Sequence, residues 1–173
     1  EWAVTSLAPN GSAYGADFSV GIDGSSAIHI SFESIIQGNF GQSDLRYATN
    51  AGGAFQLETV ETLPAQSGQL HGALAVTPAG QPHIAYRDGA LHALRLATRA
   101  GGSWTRETID PEGDAGFHAS VALAPSGALH IAYRAAAPGD HAGRHQADAM
   151  ETAGQVDVDD PPPLGRVHLG GRH

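Results

Sequence analysis

The chain has 173 residues, a net charge of −9 and a charged fraction of only 16%, with 41% apolar residues gathered into patterned runs. That length favours one domain, and an acidic chain without a basic stripe has no electrostatic reason to bind nucleic acid or an anionic membrane. The absence of cysteine excludes a disulfide framework and a thiolate metal site, and no apolar run approaches the roughly 18 residues of a membrane-spanning helix.

The chain opens in mid-pattern. Trp2-Ala3-Val4-Thr5-Ser6-Leu7 reads as the end of a unit, and no signal peptide precedes it, so the sequence reads as a processed or truncated piece. Ser19-Val20-Gly21-Ile22 follows with a period of two, Val20 and Ile22 on one face and Gly21 on the other. Asp23-Gly24-Ser25-Ser26 is a hairpin turn leading to Ile28-His29-Ile30-Ser31-Phe32, where the two isoleucines and Phe32 share a face. A third strand, Leu45 to Thr49, passes through Gly52-Gly53 into a fourth, Phe55 to Val60.

The same order then recurs. Ala73-Leu74-Ala75-Val76, a Thr77-Pro78-Ala79-Gly80 turn and Pro82-His83-Ile84-Ala85-Tyr86 repeat the first pair. Leu91 to Thr98, Gly101-Gly102 and Trp104 to Ile109 repeat the second. Ser120-Val121-Ala122-Leu123, Ala124-Pro125-Ser126-Gly127 and Leu129-His130-Ile131-Ala132-Tyr133 begin a third copy. No stretch has a helical period, so the chain is expected to be all-β.

Four short antiparallel strands in a unit of about 50 residues are the pattern of a β-propeller blade. Residues 1–134 are therefore expected to form two to three blades of a partial ring. Small residues in the first strand suit a hub where blades converge. The aromatic opening each fourth strand (Trp2, Phe55, Trp104) suits the outer rim, where blades splay. Two to three blades do not close a ring of four to eight, so further blades or self-association are expected.

The Ser-Val-Ala-Leu, turn, Leu-His-Ile-Ala-Tyr-Arg, Leu-Arg-Leu-Ala-Thr, Gly-Gly-Ser-Trp pattern resembles the blades of bacterial exported β-propeller repeat proteins, and distantly those of sialidase-type (BNR) and lectin propellers. The resemblance covers residues 1 to about 134. It implies a secreted or cell-surface bacterial protein. The Ser-x-Asp-x-Gly-x-x-Trp box of sialidases is missing from every copy, which argues against carrying over that activity.

After Arg134 the pattern breaks into a His-, Asp- and Pro-rich run, so 135–173 is expected to be an irregular tail. Two readings of it stand open. One is a disordered linker. The other is translation out of frame, because Gln155 to Asp160 read one nucleotide later permits Arg-Trp-Thr-Ser-Thr-Thr, the missing fourth strand.

Candidate chemistry is sparse. His29, His83 and His130 recur at one position of the unit, which marks packing residues better than a three-imidazole zinc site. Asp17, His71 and His118 correspond to one another just ahead of the first strand, at the expected mouth of the central channel. They are the candidate ligand-binding residues. Tyr86-Arg87 and Tyr133-Arg134 are either a sugar-stacking ledge or core tyrosines with solvent-facing arginines. No pair of carboxylates, nucleophile with a base, phosphate loop or dinucleotide fingerprint is legible, so neither a catalytic residue, a metal nor a cofactor is assigned. The expected function is a non-catalytic module binding carbohydrate or protein. The alternatives are a fragment of a sialidase-like glycoside hydrolase and a purely structural or adhesive segment.

Overall fold

A computed structural model describes residues 7, 12–36, 42–64, 70, 72–136 and 153–156. The described residues are all-β. The strands are β1 (Ser12–Ile22), β2 (Ile28–Ile36), β3 (Gln42–Thr49), β4 (Gln56–Pro64), β5 (Ala73–Val76), β6 (Pro82–Asp88), β7 (Ala93–Ala100), β8 (Ser103–Asp110), β9 (Phe117–Leu123), β10 (Leu129–Arg134) and β11 (Ala153–Val156). They form three antiparallel sheets, ordered β1-β2-β3-β4, β5-β6-β7-β8 and β11-β10-β9. No helix among the described residues is long and apolar enough to cross a membrane.

Short connections force this order, because a tight hairpin joins only antiparallel neighbours. The three turns between first and second strands share one backbone bond: Ser26 N–H to Asp23 O (3.1 Å), Gly80 N–H to Thr77 O (2.9 Å) and Gly127 N–H to Ala124 O (3.0 Å). The donor is left-handed each time, with φ of 68°, 83° and 93°. Glycine takes that conformation freely. In the first turn Ser26 holds it instead, and the Asp23 carboxylate stabilises the loop by accepting from Ser25 N–H (2.8 Å), Ser25 Oγ–H (2.7 Å) and Ala27 N–H (2.9 Å). These bonds hold the Asp23 carboxyl at about pH 2, with Ser25 Oγ the largest contributor.

The first two sheets also carry a bulge at the same place. Leu45 faces Glu61 while Arg46 faces Thr59, and Leu94 faces Asp110 while Arg95 faces Thr108. The skipped residues are Val60 and Ile109. Because a bulge takes a residue out of the ladder, the Val60 carbonyl is free to accept from the Arg106 guanidinium (Nε, 2.9 Å) of the second sheet.

Two apolar layers join the sheets. Leu45, Tyr47, Val60 and Leu63 of the first meet Leu74, Ile84, Tyr86 and Ala97 of the second. Ala75, Ala85, Leu94 and Leu96 on the reverse of the second meet Leu129 and Ile131 of the third. One polar bond recurs across both layers. Tyr86 OH donates to Glu61, and Tyr133 OH donates to Asp110 (2.7 Å). Each tyrosine lies towards the end of a second strand, and each carboxylate in the latter half of the fourth strand of the preceding sheet. Burial first, then the facing carboxylate, raises both phenol pKa values. The first strands lie together, β1 against β5 and β5 against β9.

The third sheet differs from expectation in its tail. Ala153–Val156 forms a short strand beside β10, with Gln155 opposite His130. Gln155 thus occupies the place that Thr49 and Thr98 occupy opposite His29 and His83. Ladder bonds use backbone groups, so an open strand edge accepts an extended segment without a strand-like side-chain pattern. The remaining positions of 137–173 lie outside the described residues.

Candidate functional site

The densest group of charged and strained residues lies where the second and third sheets meet, at the end of β6 and β10 and the start of β9. Arg87 at the end of β6 is buried and donates from Nε (3.0 Å) and Nη2 (2.6 Å) to Asp114 Oδ1. His92 Nδ1 lies 3.2 Å from the same oxygen. The Phe117 ring carries two guanidinium groups, Arg87 at 4.2 Å and Arg134 at 4.7 Å from its centroid. Arg134 and the neighbouring His118 are exposed.

Loop 111–116 sets this geometry. A β-carbon on Gly116 would lie 3.1–3.2 Å from Arg87 and Leu94 atoms, so the loop backbone rests directly on the second sheet. His92 (φ 54°), Asp114 (φ 50°) and His118 (φ 51°) are three of the four non-glycine residues in the left-handed region among those described. Such conformations cost about 1 kcal/mol or more each and persist where surrounding contacts hold them, commonly at ligand-binding sites. Here Arg87 and Asp114, with His92 against the same carboxylate, hold two of them.

The expected site residues fare differently. His118 belongs to this group, inside β9 rather than ahead of it. Asp17 lies within β1, in the irregular stretch where pairing with β2 shifts between Tyr14 and Phe18. Its charge reaches buried Glu33, whose pKa is raised by burial first and by the Asp17 charge among the lesser causes. His71 lies outside the described residues. Loop 111–116, Arg87, His92 and Phe117 were missed as a group; the only sequence signal was the run Asp110 to Gly116, rich in turn formers.

The tyrosines before the arginines are core residues, Tyr86 fully buried and Tyr133 bonded to Asp110. Of the two arginines only Arg134 faces solvent. The recurring histidines sit on three different sheets. His29 is buried, with Nδ1 in hydrogen-bond contact with Tyr47 OH and Nε2 3.3 Å from Asp23 Oδ2. His83 Nδ1 lies 3.1 Å from Thr98 Oγ1. No group of three or more metal-ligating side chains occurs among the described residues.

Burial lowers the pKa of His83 below its ordinary 6.5. The unfolded chain therefore takes up this proton before the folded one, and stability falls as pH drops from about 6.5 towards the depressed folded value. Chemical denaturation as a function of pH should show that slope, and His83→Gln should flatten it. An unchanged slope in the variant would assign the effect elsewhere.

In comparison with known proteins, the sequence matches no protein-family model and none of the curated proteins.

Proposed function

We propose that the three sheets are consecutive blades of a β-propeller, and that the chain is a non-catalytic module of a secreted or surface bacterial protein that binds carbohydrate. The adjacency of the three first strands, β1, β5 and β9, supports a common hub. The recurring tyrosine–carboxylate bond supports one kind of blade-to-blade packing. The resemblance of the strand pattern to exported bacterial propellers supports the location.

The observation that carries the binding reading is the ledge of Phe117 and Arg134, propped by the buried Arg87–Asp114 pair. An exposed guanidinium held flat against an aromatic ring offers a sugar a planar surface to stack on and its hydroxyl groups directional donors. Because the backbone beneath is already fixed, little ordering opposes binding.

A glycan array probed with the intact chain and with Arg134→Ala tests this. The intact chain should retain a defined set of glycans, and Arg134→Ala should lose at least about tenfold in affinity, the worth of one charged hydrogen bond. Its melting temperature should fall by no more than a few degrees, since Arg134 is exposed and its stack on Phe117 is worth about 0.5–1 kcal/mol. Equal retention by both proteins would refute the ledge as the binding surface.

A further inference from the structure

Each sheet-to-sheet contact in the chain has two halves near the hub. The following sheet contributes large apolar residues from alternate positions of its first strand: Leu74 and Val76 at one contact, Val121 and Leu123 at the other. The preceding sheet contributes small residues: Ser19 and Gly21 at the first contact, Ala75 at the second. The fit at the first is close. A β-carbon on Gly21 would lie 2.8 Å from Val76 Cγ2 and 3.8 Å from Leu74 Cδ2, and Ser19 Oγ accepts from Leu74 N–H at 3.0 Å.

Both halves occur again, open, at the two ends of the array. Val20 and Ile22 stand in β1 where Leu74 and Val76 stand in β5. With Phe18 they form a row of large apolar side chains 59–66% exposed. Ser120 and Ala122 stand in β9 where Ser19 and Gly21 stand in β1, and they too are exposed. A contiguous row of this kind marks an interaction surface, and the internal contacts specify its complement: a first strand with serine or alanine and then, two residues on, a residue no larger than alanine.

We propose that a second copy of this chain covers the row, seating its Ser120–Ala122 strand on Phe18, Val20 and Ile22. The contact forms twice, so that two copies close one ring. The interface is heterologous, head to tail, and a rotation that closes avoids an open filament. Two copies of three sheets give six, within the roughly four to eight that propellers use. This rests on the circular arrangement proposed above but not on its ligand.

Light scattering on the full chain should give twice its 17.8 kDa mass. Val20→Asp disables one half of the contact and Ala122→Arg the other, so each variant alone should be monomeric. Mixed in equal amounts, they should recover the doubled mass, because one intact row then meets one intact strand. Ile22→Asp repeats the first test at a second exposed position, and an unchanged far-ultraviolet circular dichroism spectrum shows that the variants fold. A monomeric parent, a ladder of higher masses, or a mixture that stays monomeric would overturn the proposal. Loss of glycan binding in Arg134→Ala, or no glycan binding at all, leaves the doubled mass unaffected and bears only on the ligand.

Discussion

Glu61→Ala is expected to remove about 3 kcal/mol of unfolding free energy, measured by urea denaturation. Glu61 accepts from Arg95 Nη1 (2.8 Å) and from Tyr86 OH, and Arg106 Nε lies 4.0 Å away. Deleting one partner of such a pair strands the other charge, which costs about 3–5 kcal/mol when burial is complete. The lower end applies because Arg95 also reaches Asp88 Oδ2 at 3.1 Å and the Glu61 side chain keeps some solvent contact. Tyr86 has no such alternative, and its fully buried hydroxyl would lose its acceptor.

The double variant Glu61→Ala/Tyr86→Phe should recover part of that loss, because removing both polar partners together is far cheaper than stranding one. A double variant no more stable than Glu61→Ala would show that the tyrosine contributes nothing through this bond.

Trp104→Ala is expected to cost about 3–4 kcal/mol, within the range for truncating a large aromatic at a packed interface. The Trp104 ring meets Tyr47 of the first sheet edge-on, centroids 5.2 Å apart, and its Nε1–H donates to Glu58 Oε2 at 2.9 Å. Arg99 clamps the same carboxylate with bonds of 2.9 and 2.8 Å. Trp104→Phe keeps most of the packing and loses the hydrogen bond, so about 1 kcal/mol is expected. Equal losses in the two variants would mean that the bond to Glu58, and not the ring, couples the sheets.

Much of this architecture was legible in residue order. The alternation in Val20/Ile22, Leu74/Val76 and Val121/Leu123 placed three first strands, and the Gly-Gly pairs placed hairpins between third and fourth strands. Both depend on local geometry: strand side chains alternate with a period of two, and tight turns need residues that tolerate positive φ. Candidate binding residues were less legible. His118 lies beside the ledge, but the Phe117 ring, the Arg87–Asp114 pair and the left-handed His92 come from segments far apart in the chain. No local pattern announces such a meeting. The strand Ala153–Val156 was illegible for another reason: a ladder asks only for backbone groups, so Ala-Gly-Gln-Val carries no signature of its role.

The sequence by itself determined an all-β chain, the location of its hairpins and which residues share one face of a strand. All three are set by steric rules acting over a few neighbouring residues. Which faces meet was decided only by the tertiary structure. Pairings such as Tyr86 with Glu61, Trp104 with Glu58 and Arg87 with Asp114 span 25 to 46 residues. They depend on how whole sheets stack, a property of summed apolar burial and shape that no single segment encodes.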